Sequence, residues 1–360
     1  IGHCSLYTNT ASNNTAVGQC SLTLNTTGTL NVAVGMTALK SNTTGDCNTA
    51  IGGLALNANT TGDYNTSVGS CALKANTTGG ASTSVGWQSM VSNTEGHSHV
   101  AMGYRALCAN TTGCYNVGLG REAAKSNTTG CCNVAVGYQS LCTNTTGGQN
   151  TAIGTCALIT NTASNNTAVG AFSMRDNTTG SNNVAVGISA LKENTEGENN
   201  TAIGNGALCN NTTADDNTAV GRCALFDNTT GCQNTAVGGI SSDSMTTGSF
   251  NTSLGYRTLC KNTTADNNTA IGHSALKENV SGTDNVAVGM DALQSNTASN
   301  NTAVGKAALI NNTSGTNNVA VGFKSLQANT TANSNTAVGL CSLYTNTTGF
   351  ENTAVGRSSL

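Results

Sequence analysis

The residues with chemistry to offer in this 360-residue chain are asparagines in Asn-x-Thr/Ser triplets and fifteen cysteines. One set of triplets returns at a fixed place in the sequence: Asn25, Asn42, Asn59, Asn76, Asn110, Asn127, Asn144, Asn177, Asn211, Asn228, Asn262, Asn279, Asn312, Asn329 and Asn346. Such a triplet is the acceptor for an N-linked sugar in a secreted protein, and it is equally the chemistry of a tight turn. Both readings are open. Side chains that recur once per stacked turn stand about 4.8 Å apart, closer than bulky glycans pack. The second threonine of each Asn-Thr-Thr run offers an O-linked site instead.

Four cysteine pairs fall where stacked turns would bring them together: Cys4 with Cys20, Cys114 with Cys131, Cys142 with Cys156, and Cys209 with Cys223. Neighbouring turns hold Cα atoms close to the roughly 4.4–6.8 Å window of a disulfide, so each pair is a candidate staple in an oxidising compartment. Zinc chemistry finds no Cys-x-x-Cys, and the tightest cluster, Cys131-Cys132, has no adjoining histidine. His97 and His99 beside Glu95 are the only metal-like grouping. The sequence shows no Ser-His-Asp arrangement, phosphate loop or calcium repeat. The expectation is therefore a chain that is no enzyme, with no catalytic residue, metal or cofactor.

What must position these residues is a repeat. With Asn14 as column 1, twenty complete units run from residue 14 to residue 351, most of 17 residues, with the consensus N-[TV]-A-[VI]-G-x-x-[AS]-L-x-x-N-T-T-G-x-x. Column 5 is Gly in every unit, as at Gly18, Gly35 and Gly52. A place that never accepts a side chain has φ > 0 or backbone pressed against it. Column 4 (Val17, Val34, Ile51) is always aliphatic or Met, and column 9 (Leu22, Leu39, Leu56) is Leu in sixteen units. Both columns are expected to face inward. Column 2 exchanges only Thr and Val, and period-2 alternation places it on the same inward face as column 4.

Columns 6, 7, 10, 11, 16 and 17 accept nearly any residue and are expected to face solvent or a neighbouring chain. Asn in columns 1 and 12 is expected to stack into hydrogen-bonded ladders. Fixed β-branched and Gly positions without 3.6-residue periodicity exclude helices. A unit this short buries its few apolar groups only against identical units above and below. The predicted fold is all-β: a parallel β-solenoid of about 21 stacked coils, one continuous array over residues 1–360 that is cut in mid-repeat at both ends and so belongs to something longer. Two units, 150–165 and 285–300, have 16 residues and share the ending Asn-Thr-Ala-Ser-Asn, which predicts a corner that tolerates a deletion.

The string N-[TV]-A-[VI]-G-x-x-[AS] followed by a later Gly resembles the head repeats of trimeric autotransporter adhesins and related repeats of phage tail fibres. That resemblance covers the whole chain and implies a narrow left-handed parallel β-roll on a surface-exposed attachment protein, often a trimer, with no catalytic residues to carry over. The unit here is longer, ends in Asn-Thr-Thr-Gly, and carries many cysteines.

Charged residues are 9% of the chain and the net charge is −3, which leaves no electrostatic footprint for nucleic acid, and no apolar run is long enough to span a membrane. The expected function is a structural extracellular fibril or filament core, at a cell or virion surface, decorated by glycans and disulfides. Its partners would be copies of itself or neighbouring fibre chains. An alternative is an adhesin or tail-fibre shaft that binds a host surface. A further one, ice binding, requires outward threonines, whereas column 2 is expected inward.

Overall fold

The computed structural model describes residues 1–359, which fall into two compact units, Ile1–Ser181 and Asn182–Leu360. Three-residue strands recur once per coil, from β1 (Thr15–Val17) to β10 (Thr167–Val169) in the first unit and from β11 (Val184–Val186) to β21 (Thr353–Val355) in the second. Inside each unit every strand pairs in parallel with the next coil's strand and without slip. Thr15 lies opposite Val32 and Ala16 opposite Ala33 in the first unit, and Val184 opposite Thr201 in the second. No described residue is helical. Each unit is a parallel β-solenoid, as the period predicts.

The pairing does not stop at the strands. Leu39 N–H donates to Ala55 O at 2.9 Å, Thr43 N–H to Thr60 O at 2.9 Å, and Gly35 N–H back to Val17 O at 2.8 Å. Backbone around much of each coil is thus satisfied by the coils above and below, which a chain this narrow could not do internally.

The corners need unusual backbone. Column 5 Gly sits at φ near +130°, as at Gly18 (+132°), and a Cβ placed on Gly35 would lie 2.5 Å from Gly52 O. Both reasons for an invariant Gly apply together. Columns 7, 9 and 17 are also left-handed, and column 9 holds Leu at φ of 47° (Leu22), 51° (Leu39) and 50° (Leu56). A bulky residue there costs on the order of 1–3 kcal/mol and persists only when its surroundings fix it. Stacked neighbours supply that constraint, so an isolated coil has no reason to hold its shape.

The interior differs from the expectation in one important respect. Along each strand the middle residue is buried and its two neighbours are not: Ala33 is fully buried, while Val32 and Val34 are only partly covered. Columns 2 and 4, including Val17, Val34 and Ile51, therefore point outward, and the inward face of the strand is column 3, which is Ala, Ser or Gly in every coil. The physical reason is room. Column 9 Leu fills the space across from the strand, and a Cβ on Gly118 would already lie 3.1 Å from Leu107 Cγ. Only the smallest side chains fit there. Leu22, Leu39 and Leu56 are fully buried, as expected.

Candidate functional site

Columns 1 and 12 build two polar spines through the interior. In column 12 the amides bond to one another: Asn42 Nδ2 donates to Asn25 Oδ1 at 2.7 Å and to Gly45 O at 2.9 Å, and Asn59 Nδ2 donates to Asn42 Oδ1 at 2.8 Å. Column 1 works differently. Asn31 Nδ2 reaches Gly45 O at 2.7 Å, while its Oδ1 accepts the next coil's backbone N–H, from Asn48, at 2.9 Å. Column 1 side chains donate within their own coil and accept from the next, and column 12 side chains donate both to their own corner and to the preceding coil, so the spines set both corner shape and stacking register.

His99 stands in column 1 in place of Asn, is 1% exposed, and reproduces the asparagine's bonds. Its Nδ1 accepts Asn116 N–H at 3.2 Å, where Oδ1 would. That role requires the neutral ring, and burial is the main cause that lowers its pKa to about 4.

These spines decide the fate of the Asn-x-Thr/Ser triplets. Asn25, Asn42, Asn59, Asn76, Asn110, Asn127, Asn144, Asn177, Asn211, Asn228, Asn262, Asn279, Asn312 and Asn329 are fully buried, and Asn346 is partly buried. A sugar on Nδ2 would replace a ladder donor and occupy packed interior. In the folded coil the buried residues of this set act as structural rungs, a role that competes with a sugar on the same amide. The second threonine of the run, such as Thr27 or Thr44, is exposed. The first is occupied, since Thr43 Oγ1 donates to Thr60 O at 3.0 Å.

The cysteine pairs Cys4 with Cys20, Cys114 with Cys131, Cys142 with Cys156, and Cys209 with Cys223 are not joined by disulfides in the structure. Cys131 Sγ instead accepts the Cys114 backbone N–H at 3.1 Å. This exposes a rule that the sequence reading missed when it took column 16 as unconstrained. Short polar side chains there accept the column 16 N–H of the preceding coil: Asp46 Oδ1 from Thr29 at 2.6 Å, Asp63 Oδ1 from Asp46 at 2.7 Å, Ser249 Oγ from Cys232 at 3.1 Å. The signal was the enrichment of Asp, Ser, Thr, Asn and Cys in that column. Cys142, in column 10, is buried, and burial raises its thiol pKa.

Outer surfaces divide by chemistry. Column 6 carries a rank in the first unit: Trp87 stacks on Tyr104 at 5.2 Å between centroids, and Arg121 lies over Tyr104 and Tyr138 at 5.6 and 5.8 Å. Beside it Glu122, bonded by Gln139 at 2.8 Å, has its pKa lowered. The sheet face of columns 2 and 4 is the opposite case. It carries no Lys, Arg, Asp or Glu in any coil.

Among the described residues no group of three or more His, Cys, Asp or Glu converges as a metal site, and no helix is long and apolar enough to cross a membrane. No protein-family model matches the chain, and no curated protein matches it.

Proposed function

We propose that the chain is a structural element of an extracellular fibre, the core of a filament or stalk that supplies length, stiffness and a display surface. The observation that carries this reading is the stacking within each unit: in-register strands, backbone bonds around the coil, and two buried amide spines repeat with each turn. Most backbone bonds that hold a coil are made with its neighbours, so mechanical continuity is what the sequence maintains. Fifteen cysteines and exposed threonines on the corner suit an oxidising compartment and O-linked decoration, and neighbouring fibre chains or further copies are its partners. Electron microscopy of the purified chain tests this. Thin unbranched rods with a layer spacing of about 4.8 Å support it, and flexible beads on a string contradict it.

A second reading, the shaft of an adhesin or tail fibre, rests on the resemblance of the repeat string and on the exposed Trp87–Tyr104–Arg121–Tyr138 rank. It requires that the chain bind a host surface and that Tyr104→Ser weaken that binding.

A further inference from the structure

The outward sheet face has two properties that the filament reading does not use. Its column 2 threonines run unbroken through five coils of the second unit, Thr201, Thr218, Thr235, Thr252 and Thr269, paired in register. Beside them column 4 contributes only aliphatic side chains, among them Ile203 and Leu254, at 41% and 45% exposure. Methyl and hydroxyl groups thus form a regular grid, about 4.8 Å between coils and about 6.8 Å along each strand.

The hydroxyls of these five threonines have no hydrogen-bond partner within the protein among the described residues. Threonines of column 13 behave otherwise: Thr212 Oγ1 donates to Thr229 O at 3.1 Å and Thr229 Oγ1 to Thr246 O at 3.0 Å. The fold therefore consumes the column 13 threonines and leaves those of column 2 facing water. Flanking strands fix the backbone on both sides, so the grid is ordered before anything binds to it.

We propose that this face binds ice. Branched methyls exclude mobile water from the surface, and hydroxyls repeating about every 4.8 Å from coil to coil hold the remaining waters in lattice order. The alternative occupant, a second copy of the chain, fits the apolar column but not the hydroxyls. A dry interface would bury each hydroxyl opposite another methyl-and-hydroxyl grid, and each one left unbonded costs on the order of 1–3 kcal/mol. Lattice water leaves all of them bonded. The absence of any charge on the face fits the same occupant, because a charge would hold its own disordered hydration shell.

The test is thermal hysteresis of the full chain, with Thr235→Tyr on the grid and Thr230→Tyr on the exposed corner of the preceding coil as a control. Both positions point outward, so both variants keep the β spectrum of the parent by circular dichroism. Hysteresis that rises with protein concentration, falls at least tenfold in Thr235→Tyr and is unchanged in Thr230→Tyr is the expected result. Absence of hysteresis in the folded parent, or an equal loss in both variants, overturns the proposal. So does sedimentation showing an oligomer that Thr235→Tyr dissolves, which would give the face to a second copy. None of these outcomes bears on rod formation, which microscopy reads separately.

Discussion

The coil at residues 31–47 and the coil at residues 234–250 have the same length and the same parallel pairing, yet they fill their interiors differently. In the first, Leu39 is the apolar filler and Asn42 the amide rung. In the second those columns hold Ser242 and Met245, both buried. Volume lost from column 9 is regained in column 12, and a hydroxyl cluster forms: Ser241 Oγ lies 2.7 Å from Ser253 Oγ and 2.8 Å from Thr258 Oγ1, with Ser242 Oγ 2.8 Å from Ser253 Oγ.

The exchange has a cost next door. Asn228 Oδ1 loses its donor, and Asn262 Oδ1 turns to its own corner, accepting Ala265 N–H at 2.9 Å. Asp243 sits beside the defect with its pKa raised by burial. The 16-residue coil at 150–165 interrupts the spine similarly, leaving Asn144 Oδ1 without a donor while Asn161 Nδ2 bonds Ala163 O at 2.8 Å. Interior volume and polar satisfaction are thus partly interchangeable, but stacked backbone is not: every coil keeps its column 5 Gly.

That ranking orders the predictions. Gly35→Val, whose Cβ would press on Gly52 O at φ +138°, is expected to cost about 5 kcal/mol in thermal denaturation. Gly239→Ala, whose Cβ would meet only the Tyr256 ring at 3.5 Å, is expected to be near neutral. Asn59→Leu in the regular spine takes the donor from Asn42 Oδ1 and the acceptor from Asn76 Nδ2, and is expected to cost about 4 kcal/mol in urea titration.

His99 is held neutral in the fold and titrates at about 4 there against 6.5 when unfolded, so the unfolded chain binds the extra proton between those values. Stability is complete above pH 6.5 and falls by about 3 kcal/mol as pH drops to about 4, a slope that His99→Asn removes. The smallest effect sharpens the two-coil comparison. Ser242→Leu alone overpacks against Met245 and is expected to cost about 2 kcal/mol, and adding Met245→Asn recovers that loss in a double-mutant cycle.

Much of this was legible in the sequence. Internal repetition turns one chain into its own substitution series, so the period, the parallel stack, the Gly corner, the inward Leu and the Asn ladders could all be read from residue choice. The direction of columns 2 and 4 could not be read from alternation, which pairs residues on a face without saying which face is inside. In a broad sheet the larger apolar residues go inward. In a coil this narrow they go outward, and the deciding sign was column 3, where nothing larger than Ser occurs. Column 12 carried two incompatible readings, ladder rung and glycan acceptor, and only its burial separates them.

Side-chain amide hydrogen exchange tests the stacked interior most directly. The Nδ2 protons of Asn42, Asn59 and Asn76, fully buried and bonded, should exchange only as fast as their coils unfold, whereas the exposed Gln19 amide should exchange at the rate of a free amide. Column 12 amides that exchange as fast as Gln19 would contradict the buried spine and the stacked coils built on it.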